Sequence, residues 1–215
     1  MYVAIEGVIG VGKTTLARLL QPAFQAALLL EVFEENPFLS DFYADRGRYA
    51  FQTQVFFLLS RYHQQRNAVG QLLSEMENLL SDYTFEKDAL FASINLQGDE
   101  LEMYHRVHQA LEEKIIKPDL ILYLRAGTDT LMQRIAMRDR PYERDMERDY
   151  IAQLNESYDS FFVAHHQGAR VLSIDSDQLD FVKSDADLKF VENRLRQTLR
   201  LPPFQQELPL ESQAE

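Results

Sequence analysis

Five short apolar runs interrupt an otherwise helical pattern: YVAIE (2–6), ALLLEVF (27–33), ENLLSD (77–82), DLILYL (119–124) and RVLSID (170–175). Continuous runs of this kind belong to strands covered on both faces, as in a parallel sheet. Between them, apolar positions at helical spacing predict helices over 14–25, 51–74, 98–117, 128–138, 145–165 and 186–199. Pro118 and Gly168 stand where two of these helices would stop. The expectation is an α/β fold, a five-stranded parallel sheet flanked by helices, formed by one domain over 1–200. The stretch 201–215 has three prolines and no periodicity, so a flexible tail is expected there.

Composition narrows the chemistry. A chain of 215 residues with 46% hydrophobic content can bury a full α/β core. The absence of cysteine excludes disulfides, thiolate metal sites and cysteine nucleophiles. A net charge of −12 argues against a nucleic-acid polymer as partner, because phosphate neutralisation needs a broad basic surface. The opening MYVAIEGVIG has no basic residue before its apolar run, and no run approaches the roughly 18 residues of a membrane span. A soluble, cytoplasmic protein without a membrane partner is expected. Against this acidic background RIAMRDRPYER (134–144) gathers four arginines in eleven residues. So local a concentration suits a small anion.

The first strand runs into GVIGVGKTT (7–15), with Gly7, four residues, then Gly12, Lys13 and Thr14. This is the Walker A spacing, with a strand before and a helix after. In such a loop Gly7, Val8, Ile9, Gly10, Val11, Gly12, Lys13, Thr14 and Thr15 wrap a triphosphate with backbone N–H groups. The helix start adds its positive end. Lys13 is placed for the β- and γ-phosphates, and the Thr14 hydroxyl for Mg²⁺. A P-loop NTPase-like fold follows, but the motif leaves the reaction open. No NKxD-type guanine reader follows the fourth strand, which disfavours a GTPase switch, and motor ATPases generally need a larger core.

Several spaced segments, from the first strand to about residue 192, resemble the deoxynucleoside kinase family, and ENPFLSDFY (35–43) looks closest to its short bacterial members. The resemblance implies an ATP-dependent phosphotransferase acting on the 5′-hydroxyl of a deoxynucleoside, with Mg²⁺. It makes Glu31, after ALLL, the catalytic carboxylate, with Glu34 and Glu35 as rivals. In YAFQTQVFFLLSR (49–61) it assigns Gln54 to the base edge and Arg61 beside it, two helical turns on, with Gln52 as a competing glutamine. Phe51, Phe56 and Phe57 read individually as core. Tyr43 and Glu143 fall where the family contacts the 3′-hydroxyl. Arg134, Arg138 and Arg140 match an R-x-x-x-R-x-R lid over the phosphates, where planar guanidinium forks suit phosphate oxygens. IDSDQLDFVKSDADLKFVENRL (174–195) resembles the late loop near the donor's adenine.

One segment departs from the family. After the third strand, better-known members carry an acidic residue, then arginine, then serine. Here LLSDYTFEKDALFA (79–92) supplies Asp82, a second candidate for Mg²⁺, but Tyr83 stands in place of the arginine. Lys87 or a lid arginine is the candidate substitute. Lys87 and Asp88 compete for the family's base-reading aspartate position, and Phe91 is placed in the same pocket. His105, His108, His165 and His166 lack the neighbours of a transition-metal site. GDELEMYHRVHQALEEKI (98–115) reads as an amphipathic helix and a dimer contact. A homodimer is expected, with a heterodimer with a related kinase chain as the alternative. Two other functions stay open: a thymidylate-type monophosphate kinase, whose acceptor phosphate Glu31 would repel, and a non-catalytic nucleotide-binding subunit. The deoxynucleosides considered are those of adenine, guanine and cytosine.

Overall fold

The computed structural model describes residues 1–32, 35–164 and 170–202. Glu34, Gly168, His165, His166 and residues 203–215 of the expected tail lie outside the described residues. Five strands form one all-parallel sheet: β1 (Tyr2–Glu6), β2 (Ala27–Leu29), β3 (Leu79–Ser81), β4 (Leu120–Arg125) and β5 (Arg170–Asp175), in the order β2-β3-β1-β4-β5. The middle strands are buried along nearly their whole length, because helices cover both faces. Edge strand β5 alternates between exposed and buried positions instead. The buried core gathers around Ile5, Leu80, Leu122 and Leu124.

Around the sheet lie α1 (Lys13–Phe24), α2 (Leu39–Ala44), α3 (Arg46–Met76), α4 (Lys87–Asn95), α5 (Gly98–Glu112), α6 (Thr128–Arg138), α7 (Arg148–Asp159) and α8 (Asp185–Leu199). A 3₁₀ turn, Pro141–Glu143, follows α6, and a π-helical segment, Ser160–Ala164, continues α7. Helix α3 starts five residues before its expected beginning. The Asp45 carboxylate accepts from Arg48 N and caps it, although Gly47 and two arginines hide the apolar period there. Helices α2 and α4 were not expected. Each is too short for its period to stand out, and α2 shows only the buried pair Leu39 and Phe42. Helix α5 ends at Glu112, before its expected end at 117.

Strand β2 is shorter than its apolar run. Leu30, Glu31 and Val32 lie beyond the ladder, and Phe33 is outside the described residues. The third strand is likewise shorter than 77–82. Both corrections bear on the site, because Glu31 and Asp82 then occupy loops just past the strand ends. Chain connections run from β1 to one side of the sheet and from β3 to the other. The crevice where direction reverses, at the carboxyl ends of β1 and β3, is where ligands bind in open parallel sheets.

Candidate active site

The loop after β1 takes backbone conformations that favour glycine at Gly7 (φ +146°) and Gly10 (φ +87°). A Cβ on Gly7 would overlap the Leu124 carbonyl oxygen, and one on Gly10 would sit 2.8 Å from Ile135 Cγ1 of α6. The P-loop is therefore packed against β4 on one side and the lid helix on the other. Helix α1 begins at Lys13, so its free N–H groups face the loop. The Lys13 ammonium donates to the carbonyls of Gly7 (2.6 Å) and Val8 (3.2 Å). Burial, with the like charge of Lys87 next, pulls the Lys13 pKa down to about 8.

Beneath this loop lies Glu6, fully buried at the end of β1. Its Oε1 accepts from Thr84 N (2.6 Å) and Thr84 Oγ1 (3.0 Å), and its Oε2 from Gly7 N (3.2 Å). Burial pushes its carboxyl up. The start of the P-loop is thus tied to the segment after β3. That segment also carries Asp82. The Thr14 hydroxyl donates to Asp82 Oδ2, and Glu31 N donates to Asp82 Oδ1 at 2.8 Å. One carboxylate joins α1, β2 and β3 at the crevice.

Glu31 stands at the centre of a second cluster. Its Oε1 accepts from Arg61 Nε (2.8 Å) and Nη2, while Lys87 Nζ donates to Oε2 at 2.7 Å. Burial by itself would raise the Glu31 carboxyl. The charges of Arg61 and Lys87 outweigh it and hold Glu31 well below the usual carboxylate range. Arg61 is an ion-pair partner of Asp88 as well. Lys87 thus pairs with Glu31, and Asp88 with Arg61. Tyr83 has its ring centroid 5.6 Å from Lys87 Nζ and donates its hydroxyl to Gln64 Oε1 at 2.6 Å. Among the acidic rivals, Glu35 is exposed.

Lys13, Thr14, Glu31, Arg61, Asp82 and Lys87 line one cleft of about 920 Å³, and Asp88 lies behind Arg61 outside its lining. Gln54, Arg61 and Phe57 reach it from α3, Tyr43 from α2, and Lys87 and Phe91 from α4. Gln54 is buried whereas Gln52 is exposed, so the helix turns Gln54 inward. Phe51 packs on the core, as read from the sequence, but Phe57 lies in the cleft wall with the Arg61 guanidinium 4.4 Å from its ring centroid. Leu39, Phe42, Tyr150 and Tyr158 complete the walls, and sequence reasoning missed them. The two tyrosines are eight apart on α7 with Leu154 between, a helical spacing that could have marked the inward face.

The lid closes the other end. The buried Glu143 carboxylate accepts from Arg138 Nε (3.1 Å) and Nη2 (2.5 Å), and Arg140 Nη1 lies 3.6 Å from its other oxygen. Tyr43 stacks on Tyr142 at 6.1 Å between centroids, beside this cluster. Arg134 behaves differently from the other two. Its guanidinium donates to Val11 O (3.2 Å), Ser176 Oγ (3.1 Å) and Ser176 O (2.7 Å). It fastens the P-loop to the late loop, whose residues Asp177 to Lys183 line the cleft beside Gly12 and Lys13. His108 is buried, with Nε2 3.3 Å from Phe85 O and its ring stacked on Phe85. Among the described residues no group of three His, Cys, Asp or Glu side chains could hold a metal ion.

A parallel sheet with a P-loop after its central strand, a carboxylate held by two cations and an arginine lid over the same cleft define a P-loop phosphotransferase. The chain belongs to the deoxynucleoside kinase family: a profile described as "Deoxynucleoside kinase" matches residues 3–200. The chain is 33% identical over 201 residues to a deoxyguanosine kinase of Bacillus subtilis (strain 168), covering 92% of this chain and 97% of that one. It is 32% identical over 165 residues to a deoxyadenosine kinase of Dictyostelium discoideum, covering 74% and 66%. Among solved structures, deoxyadenosine kinase from M. mycoides with dCMP and dCDP bound superposes with a TM-score of 0.80 at 25% identity, over 92% of this chain and all of that one. The chain is accordingly a kinase whose acceptor is an alcohol group. Among the described residues no helix is long and apolar enough to cross a membrane.

Proposed function

We propose that the chain transfers the γ-phosphate of ATP to the 5′-hydroxyl of a purine deoxynucleoside in nucleotide salvage in the cytoplasm, with deoxycytidine as a weaker substrate. The observation that carries this reading is Glu31, a carboxylate kept ionised by Arg61 and Lys87 at the cleft floor, next to Asp82 and the P-loop. An ionised carboxylate there accepts a hydrogen bond from the 5′-hydroxyl, aims its oxygen at the γ-phosphorus and takes the proton as the O–P bond forms. Because Arg61 and Lys87 hold it so acidic, its main contribution is orientation, with proton removal late. A loose phosphoryl-transfer transition state asks for little more.

The donor's triphosphate lies along Gly7 to Thr15, under Lys13. Arg138 and Arg140, now spent on Glu143, swing to the phosphates as the lid closes, and Glu143 is left to the sugar 3′-hydroxyl with Tyr43. Arg134 supports the closed lid from behind. Thr14 and Asp82 are adjacent oxygen donors of the kind Mg²⁺ prefers, so they would hold the metal, which would supply neutralisation of the phosphate charge. At the base end Gln54, with both a donor and an acceptor, reads the edge beside the Arg61–Asp88 pair, and Phe91 lines the pocket. A purine is favoured because relatives at 33% and 32% identity are named for deoxyguanosine and deoxyadenosine. A homodimer is the proposed assembly.

The test is ADP release by the purified chain with MgATP and each of the four deoxynucleosides or their monophosphates, after subtraction of hydrolysis alone. Turnover with deoxyguanosine or deoxyadenosine, and none with monophosphates, is expected. Activity confined to a monophosphate would remove Glu31 as the group that meets the acceptor hydroxyl. Binding of ATP without transfer would make the chain a non-catalytic subunit.

A further inference from the structure

Lys87 occupies a position that the fold would not choose for stability. It is the first residue of α4, where the helix dipole opposes a positive charge. It is also only 4% exposed, and lysine is almost never so buried unless it is paired. Its ammonium donates to Glu31 Oε2 at 2.7 Å and lies 5.6 Å from the centroid of the Tyr83 ring. Tyr83 is itself fixed, since its hydroxyl donates to Gln64, whose amide donates to Leu30 O at 2.8 Å, one residue before Glu31. Arg61 meanwhile holds only Oε1 of Glu31.

With Arg61 alone the Glu31 carboxylate would keep freedom to rotate about its terminal bond. A cation on each oxygen removes it. We propose that Lys87 is a positioning residue for phosphoryl transfer: seated on the Tyr83 ring, it fixes the plane of the Glu31 carboxylate toward the acceptor hydroxyl. The proposal rests on the assignment of Glu31 to the acceptor hydroxyl. Lys87 and Arg61 thus hold the two oxygens of one carboxylate before the acceptor arrives. Preorganised charge of this kind acts on the transition state more than on binding.

The experiment compares the full-length wild type with Lys87→Met, which keeps length without charge, and Lys87→Arg, which keeps charge. The readouts are kcat, KM for ATP and KM for the best deoxynucleoside of the wild type. Lys87→Met is expected to lower kcat about 100-fold with both KM values within about threefold, as for a lost transition-state interaction. Lys87→Arg is expected to recover about tenfold or more of that loss. A kcat within about threefold of wild type in Lys87→Met, a loss confined to KM, or an equal loss in both variants would overturn the proposal. If Lys87→Met does not fold, Lys87→Leu, which also lacks a donor for Glu31, decides by the same criteria. The Glu31→Gln and Glu31→Gln/Lys87→Met proteins separate the two assignments. Because Lys87 acts through Glu31, the second substitution should add less than about threefold to the first, and full multiplication of the two losses would overturn the positioning role. A wild type without deoxynucleoside turnover, or a fully active Glu31→Gln, would instead bring down the functional reading beneath it.

Discussion

Glu31→Gln is the substitution with the most to say, because the structure predicts separate effects on turnover and on stability. The carboxylate accepts from Arg61 Nε at 2.8 Å, from Arg61 Nη2 and from Lys87 Nζ at 2.7 Å, and only about 15% of its side chain is exposed. Glutamine keeps the shape and one acceptor oxygen but removes the charge. Removing one partner of a buried ion pair costs about 3–5 kcal/mol. The retained carbonyl still serves Arg61, so a loss of about 2 kcal/mol is the reasonable figure, or about 4–8 °C in Tm for a chain of this length. Turnover should fall further, by about 10²- to 10⁴-fold, since the amide orients a hydroxyl poorly and cannot take its proton. ATP affinity should stay near wild type, because Lys13 donates to the Gly7 and Val8 carbonyls and not to Glu31.

The same cluster sets a pH dependence. Arg61 and Lys87 overcome the effect of burial and hold the Glu31 carboxyl below its unfolded value. The sign follows: its stabilisation is complete above about pH 4.5, the ordinary glutamate range, and is lost as pH falls toward the folded-state value. Glu31→Gln should therefore lose stability at pH 7 and lose less of it at pH 3. Urea unfolding at both pH values, beside steady-state ADP release and an ATP titration, measures all three quantities. Turnover within about tenfold of wild type would refute the role of Glu31 at the hydroxyl. An unchanged stability difference between pH 7 and pH 3 would refute the charge cluster.

Phosphate prefers the ammonium form of Lys13, whose pKa lies at about 8. ATP affinity should thus hold from pH 6.5 to 7.5 and weaken toward tenfold per unit above pH 8, about 1.4 kcal/mol each. A flat calorimetric Kd from pH 7 to 9.5 would contradict it. Gly7→Ala would drive a Cβ into the Leu124 carbonyl and within 2.9 Å of Val11 Cγ1, at a φ of +146°. A loss of about 2 kcal/mol or more and of ATP binding is expected, and a wild-type melting curve would show that the loop is not packed as described. Arg138→Ala should reduce kcat by at least about tenfold and leave the deoxynucleoside KM nearly unchanged, since its proposed work is on the phosphates. An effect on that KM alone would return Arg138 to the role of a mere partner of Glu143.

What the sequence revealed and what it hid follow from the range of the interactions involved. The P-loop is a local device: a strand, a glycine turn and a helix start within 20 residues, each with its own composition signal, so position and chemistry were both legible. Helix α6 and strand β5 were equally plain, and both match their expected limits, 128–138 and 170–175. The Glu31 cluster is different. It joins residues 31, 61, 82, 87 and 88 from four elements, and neither period nor spacing says which cation meets which carboxylate. Which of Lys87 and Asp88 meets Glu31 turned on where α4 starts, and α4 was itself too short to be seen. Arg134 and Arg138 share a face of one helix and a motif, yet one is bound to backbone carbonyls and the other to Glu143. Only the packing of α6 on Gly10 and the bonding of Arg134 to Ser176 of the late loop separate them. The arginine cluster that looked out of place in so acidic a chain is matched within the fold by Glu143 and by two loops of carbonyl oxygens. Arg138 and Arg140 are about one-third exposed and already paired with Glu143, so on the proposed closure over a triphosphate they would exchange one set of oxygen partners for another. Such an exchange would keep the energetic difference between open and closed lid small, as an enzyme that must release its products requires.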